Sequence, residues 1–207
     1  MATLALALAF SQPVAAATAV RILTLGDSLT AGYGLIEADS FPAQLQAALT
    51  ERGFNVDVLN GGVSGDTTSA GRARLEWALS DQPDVVIVEL GANDGLRGID
   101  PELTRDNLAA ILEALRAKDV RVLLTGMYAP PNLGSDYSER FNAIYPDLAD
   151  RYGVMLYPFF LDGVATEPAL NQSDGIHPNR DGVAVIVERI LPLVMRLIEQ
   201  LPSVPPN

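Results

Sequence analysis

VVIVELGAND, residues 85–94, decides the fold. Its first six residues, Val85 to Leu90, form a short run rich in β-branched side chains, and turn-forming residues follow at once. A run of this length and punctuation predicts a strand buried on both faces. Toward the C-terminus, Pro101–Lys118 has helical spacing, with Leu108, Ile111, Leu112 and Leu115 on one stripe. Val120–Thr125 then predicts a strand, Tyr137–Tyr152 a helix ended by Gly153, and Val154–Tyr157 a further strand. Gly182–Gln200 reads as the last helix, with Pro192 placed to kink it. Toward the N-terminus, Thr68–Leu79 predicts a helix that carries Trp77 in or beside the core. Phe54–Leu59 reads as a strand, Phe41–Arg52 as a helix stopped by Gly53, and Val20–Leu25 as the first strand.

Strand and helix therefore alternate five times. Short apolar strands joined by helices imply a parallel sheet covered on both faces. The expected fold is one α/β domain over residues 20–200, a three-layer α/β/α sandwich with a five-stranded parallel sheet. Right-handed crossovers give it a doubly wound, flavodoxin-like order.

Outside that domain, residues 1–19 (MATLALALAFSQPVAAATA) resemble an export signal. The stretch Leu4–Phe10 is apolar, and Ala15-Ala16-Ala17 or Ala17-Thr18-Ala19 offers a small-x-small cleavage site, although no lysine or arginine precedes it. A periplasmic or secreted mature protein is the expectation, with no stable membrane insertion, because the apolar stretch is too short to span a bilayer. The final LPSVPPN, residues 201–207, reads as a flexible tail.

The chain has 26 acidic and 14 basic residues, a formal net charge of −12. Such a surface repels phosphate backbones, so nucleic acid is not an expected partner. Small substrates are, to a monomer or small homo-oligomer. With no cysteine, disulfides, thiolate metal sites and cysteine nucleophiles are excluded together. The single histidine, His177, excludes a multi-histidine metal centre and must serve any chemistry that needs an imidazole.

Ligands of such sheets bind beyond the carboxyl ends of the strands. The segments there are Gly26-Asp27-Ser28, Asn60–Asp66, Gly91-Ala92-Asn93-Asp94, Gly126–Gly134 and the stretch containing Asp174 and His177. If Leu29 begins a helical turn, the Ser28 hydroxyl stands at a helix N-terminus, suited either to capping it or to nucleophilic attack. Asp174 precedes His177 by three residues, with Gly175 allowing a tight turn, so its carboxylate can reach the imidazole and fix its tautomer. The unobstructed N–H of Gly65 and the amide of Asn93 are candidate donors to an oxyanion, beside the N–H of Ser28. Either could equally be an ordinary turn residue.

The segments GDSL (26–29), GGVSGDTT (61–68), GAND (91–94) and DGIHP (174–178) together resemble, in order, the four blocks of the SGNH, or GDSL, hydrolase family. That resemblance implies Ser28 as nucleophile, Asp174 and His177 as its partners, and Ser28, Gly65 and Asn93 as the oxyanion hole, with no cofactor and no metal. GMYAPPNLGSDYSERFNAIYPDLA (126–149) is similar to the arylesterase and thioesterase I–lysophospholipase branch. It implies acyl ester or thioester substrates and a mobile loop over Gly126–Gly134 bordering the acyl groove. Pro130, Pro131 and Leu133 suggest substrate-binding residues of an apolar acyl wall, although ordinary loop packing explains them equally well. Tyr33 and Leu35 are further candidates for an apolar acyl wall.

Two other readings remain. One keeps the machinery but takes acetylated carbohydrate as substrate. The other is a nucleotide- or metal-binding module in which Asp27, Asp66 and Asp94 gather a hard cation.

Overall fold

The computed structural model of the chain describes residues 19–201. Five parallel strands, β1 (Val20–Gly26), β2 (Val56–Gly62), β3 (Val85–Glu89), β4 (Arg121–Thr125) and β5 (Met155–Tyr157), lie in the order β2-β1-β3-β4-β5. This is the flavodoxin-like order expected, and the α/β assignment holds. The leader expected over residues 1–19 falls, except for Ala19, outside the described residues, as does the tail beyond Leu201.

The centre of the sheet is fully shielded: Val85, Val86, Ile87 and Val88 have no exposed surface. Their shielding comes from two helical layers. In one, α2 (Phe41–Glu51) packs against α9 (Arg180–Glu199). In the other, α6 (Pro101–Ala117) packs against α3 (Thr68–Ala73) and α8 (Ile144–Tyr152). The α6 stripe is buried as its spacing requires, with Leu108, Ile111, Leu112 and Leu115 all inside. Its start is set by Asp100, whose side chain accepts from the Glu102 N–H, followed by Pro101 at the first helical position.

Three sequence expectations need correction. The segment Tyr137–Tyr152 is two helices, α7 (Ser135–Asn142) and α8, meeting at Ala143. Pro146 has no N–H to give to the carbonyl one turn earlier, at Asn142, so the hydrogen-bond ladder breaks there. The segment Thr68–Leu79 likewise divides at Arg74 into α3 and α4 (Leu75–Ala78), then a 3₁₀ turn. Arg74 is drawn to the rim, where its guanidinium binds Asp66 Oδ2 at 2.6 Å and the Gly26 carbonyl at 2.9 Å. Trp77 is 72% exposed and so packs in neither the core nor its edge.

β2 extends three residues beyond the expected Leu59, through two glycines paired with Leu25 and Gly26 of β1. Side chains do not fit there. A Cβ on Gly62 would lie 2.2 Å from the Ala31 nitrogen in the short helix α1 (Ser28–Ala31). The glycine thus lets α1 settle onto the strand end.

β1 neighbours both β2 and β3, and the direction of winding reverses between β1 and β3. The crevice of a doubly wound sheet opens at that point. Asp27-Ser28 follows β1, and Leu90–Asp94 follows β3 and runs into the short helix α5 (Ala92–Leu96).

Candidate active site

α1 is only four residues long, and its cap is Asp27, whose Oδ1 accepts from the Leu29 N–H at 3.0 Å. Ser28 is therefore released from capping, and its hydroxyl faces outward at the first helical position. His177 Nε2 lies 2.9 Å from Ser28 Oγ. Its Nδ1 lies 2.7 Å from Asp174 Oδ2. With Nδ1 protonated toward the carboxylate, Nε2 is free to accept the serine proton.

The DGIHP loop builds the acid–base pair locally. Asp174 Oδ1 accepts from the backbone N–H groups of Ile176 at 2.9 Å and His177 at 3.0 Å. Gly175 turns between them at a φ of +70°. The His177 and Ile176 N–H bonds, with the imidazole contact, hold the Asp174 carboxyl down at about 2. It therefore stays anionic across the range in which an imidazole titrates.

A second contact, which no motif signals, positions this loop. Gln172 Nε2 donates to the Tyr33 carbonyl at 2.7 Å and to the Pro178 carbonyl at 3.0 Å. One side chain thus ties the segment after Ser28 to the residue after His177. Tyr33, half exposed, sets its ring 4.6 Å from the imidazole.

Gly65 occupies a turn closed by the Asp66 N–H to the Val63 carbonyl, at a φ of +88°. Among the described residues, the N–H groups of Ser28 and Gly65 donate to nothing. Arg97 Nη2 holds the Gly65 carbonyl at 2.9 Å. Asn93 adjoins both: its Nδ2 donates to Asp27 Oδ2 at 2.9 Å and to the Asp66 carbonyl at 3.0 Å. Both protons of the amide are directed at protein acceptors.

The three aspartates considered as a cation cluster are engaged separately. Asp27 faces Asn93, Asp66 pairs with Arg74, and Asp94 accepts from the Thr68 and Thr104 hydroxyls in a buried network. Of the loop candidates, Pro130 packs beside Gly95 and Leu133 beside Gly98, lining the segment that follows Asn93. Pro131 is exposed at the start of a 3₁₀ turn.

Beneath the site lies a buried acid. Glu89 ends the apolar β3 strand, and its Oε2 accepts from the Thr30 hydroxyl at 2.7 Å and the Asp27 N–H at 3.3 Å. Its Oε1 has no partner. Burial and then the nearby Asp27 carboxylate push the Glu89 carboxyl well above its ordinary value of 4.5. The folded protein therefore keeps a proton there that the unfolded chain gives up, so stability present below that ordinary value is lost as pH rises. Glu89→Gln carries no such proton. Its melting temperature should match the parent's at about pH 4 and exceed it increasingly toward pH 8. An offset that does not change with pH would refute the proton on Glu89.

A doubly wound sheet with serine, imidazole and carboxylate in hydrogen-bonded series at its switch point defines an SGNH-type serine hydrolase. The chain belongs to the GDSL-like Lipase/Acylhydrolase family, whose profile matches residues 24–185. It is similar to an arylesterase of Vibrio mimicus, 42% identical over 186 residues, 89% of this chain and 93% of that protein. It is similar also to the thioesterase 1/protease 1/lysophospholipase L1 of Escherichia coli (strain K12), 44% identical over 174 residues, 84% of this chain and 82% of that protein. Among solved structures it is similar to AlinE4, an SGNH-hydrolase family esterase, at 46% identity and a TM-score of 0.75, covering 88% of this chain and 98% of that one.

Proposed function

We propose that this protein is a serine esterase that hydrolyses carboxylic esters and thioesters, such as aryl esters, acyl-CoA thioesters or lysophospholipids. The observation that carries the reading is the 2.9 Å approach of His177 Nε2 to Ser28 Oγ. His177 takes the Ser28 proton as Oγ forms a bond to the substrate carbonyl carbon. The carbonyl oxygen becomes an oxyanion held by the N–H groups of Ser28 and Gly65 and the amide of Asn93. The bond from carbon to the alcohol oxygen or thiol sulfur then breaks, and the imidazolium gives that leaving group its proton. Water, deprotonated by the same imidazole, attacks the acyl-serine, and collapse returns the proton to Ser28 Oγ and releases the acid. Asp174 stabilises the imidazolium throughout. No step needs a cofactor or metal.

The names of the relatives support the substrate class, and the Gly126–Gly134 segment with Pro130, Pro131 and Leu133 is the part assigned to the acyl chain. Among the described residues no helix is long and apolar enough to cross a membrane. The Ala-rich start of the chain supports export to the periplasm or medium, which Edman sequencing of the native protein tests: an intact Met1 overturns it.

A fluorophosphonate should label Ser28 stoichiometrically, found by mass spectrometry of the modified peptide, and abolish hydrolysis of p-nitrophenyl acyl esters. Those esters should be cleaved in excess EDTA. Labelling elsewhere, or rates that favour acetylated sugar over p-nitrophenyl, acyl-CoA and lysophospholipid substrates, would overturn the reading.

A further inference from the structure

We propose that Asp27 is a positioning residue that turns the Asn93 amide toward the oxyanion, a role that rests on the esterase reading above. An asparagine amide can present either its NH2 group or its oxygen, and its neighbours choose. Here the choice is forced. Two acceptors, Asp27 Oδ2 and the Asp66 carbonyl, lie 2.9 and 3.0 Å from Asn93 Nδ2. A flipped amide would set its oxygen against both.

Placement follows from the chain itself. Asp27 immediately precedes Ser28, and Asp66 immediately follows Gly65. The Asn93 nitrogen is thus tethered to the two segments that carry the other two oxyanion donors. As negative charge develops on the carbonyl oxygen, the N–H directed at the neutral Asp66 carbonyl becomes shared with the stronger, charged acceptor in a three-centre bond. The Asp27 contact stays in place and prevents the flip.

Asp27 is built to hold this orientation. Its carboxylate is fully buried, Oδ1 is fixed by the Leu29 N–H, and its own N–H is fixed by Glu89. The charged and titratable groups around it are Glu89 from β3, Asp66 from the loop after β2, and His177. Burial raises its carboxyl to about 6, against the Leu29 and Asn93 hydrogen bonds, so it is an anionic acceptor at neutral pH. Asp27→Asn keeps the shape but sets an NH2 group against the Asn93 NH2 or the Leu29 N–H.

The decisive experiment is a cycle of Asp27→Asn, Asn93→Ala and the double variant, read as kcat and KM on a p-nitrophenyl ester. Each single variant should lose about 10²- to 10³-fold in kcat with KM little changed. The double variant should be no worse than Asn93→Ala alone, because Asp27 acts only through Asn93. Losses that multiply, or parental kcat in Asp27→Asn, overturn the proposal. Parental kcat in Asn93→Ala overturns the oxyanion assignment itself and takes the proposal with it. A measurement on the unmutated protein guards against misfolding of Asp27→Asn. Both side-chain amide protons of Asn93, assigned by their loss in Asn93→Ala, should exchange slowly with solvent in NMR spectra, and fast exchange of either overturns the tether.

Discussion

Replacing His177 with alanine is expected to lower kcat by about 10⁴- to 10⁶-fold while leaving the fold intact. The size of the loss follows from the geometry. Ser28 Oγ has one base in reach, at 2.9 Å, and the chain holds no second histidine to replace it. Without the imidazole, the hydroxyl must attack as a neutral alcohol and the leaving group must depart unprotonated. Ser28→Ala should cost about as much, and the double variant little more, because groups that act as a unit do not add. Folding should survive, since His177 lies on a surface loop and its carbonyl, which accepts from Gln172, is kept in alanine. Rates on a p-nitrophenyl ester with matched circular dichroism spectra make the check. An alanine variant that retained a tenth of parental turnover would defeat the assignment.

The second large effect is expected at a residue with no chemistry. Gly62→Ala places a methyl group 2.2 Å from the Ala31 nitrogen, 2.6 Å from its Cα and 2.8 Å from the Thr30 carbonyl carbon. All three are backbone atoms of α1, so no rotamer change relieves the clash. Strand or helix must move. Overpacking of this kind costs about 1–3 kcal/mol, which in a domain of this size lowers the melting temperature by roughly 2–12 °C. Because the displaced helix carries Ser28, kcat/KM should also fall about 100-fold, the cost of a shift of about 1 Å at a reacting group. Gly153→Ala is the control. Unlike Gly62 it carries a positive φ, +64°, and nothing lies within 4 Å of its Cβ position, so it should lose about 1–2 kcal/mol of stability through its backbone alone and no activity. Thermal melts with ester assays compare the two; a Gly62→Ala enzyme with parental melting and turnover would show that the close approach is immaterial.

The strands were legible because apolar runs such as VVIVEL are punctuated by glycine, and the parallel order followed from the helices between them. The break at Ala143 was legible in principle through Pro146, whose missing donor outweighs the helical spacing on either side. Trp77 misled because aromatic size argues for burial, whereas the fold turns that face of α4 outward. In the site, Ser28, Asp174 and His177 stood out through local motifs. The contacts of Asp27 with Asn93, of Glu89 with Asp27 and of Gln172 with Tyr33 did not, since these partners lie 66, 62 and 139 residues apart and no spacing rule links them. Glu89 left one trace, an acid in an otherwise apolar strand. Asn93 was legible as an amide shortly after β3, but the short helix that holds it and its two acceptors emerge only when the loops after β1 and β2 come together.

The hydroxyl of Ser28 and the imidazole of His177 are 149 residues apart in the chain, one following the first strand and the other preceding the last helix. α9 must dock on α2 before the two can meet, and Gln44 bonds the Arg180 carbonyl at that junction. A polypeptide still emerging from the ribosome thus holds its nucleophile early but without a base. Hydrolysis can begin only once the whole domain has closed, so the first turnover marks the completion of folding.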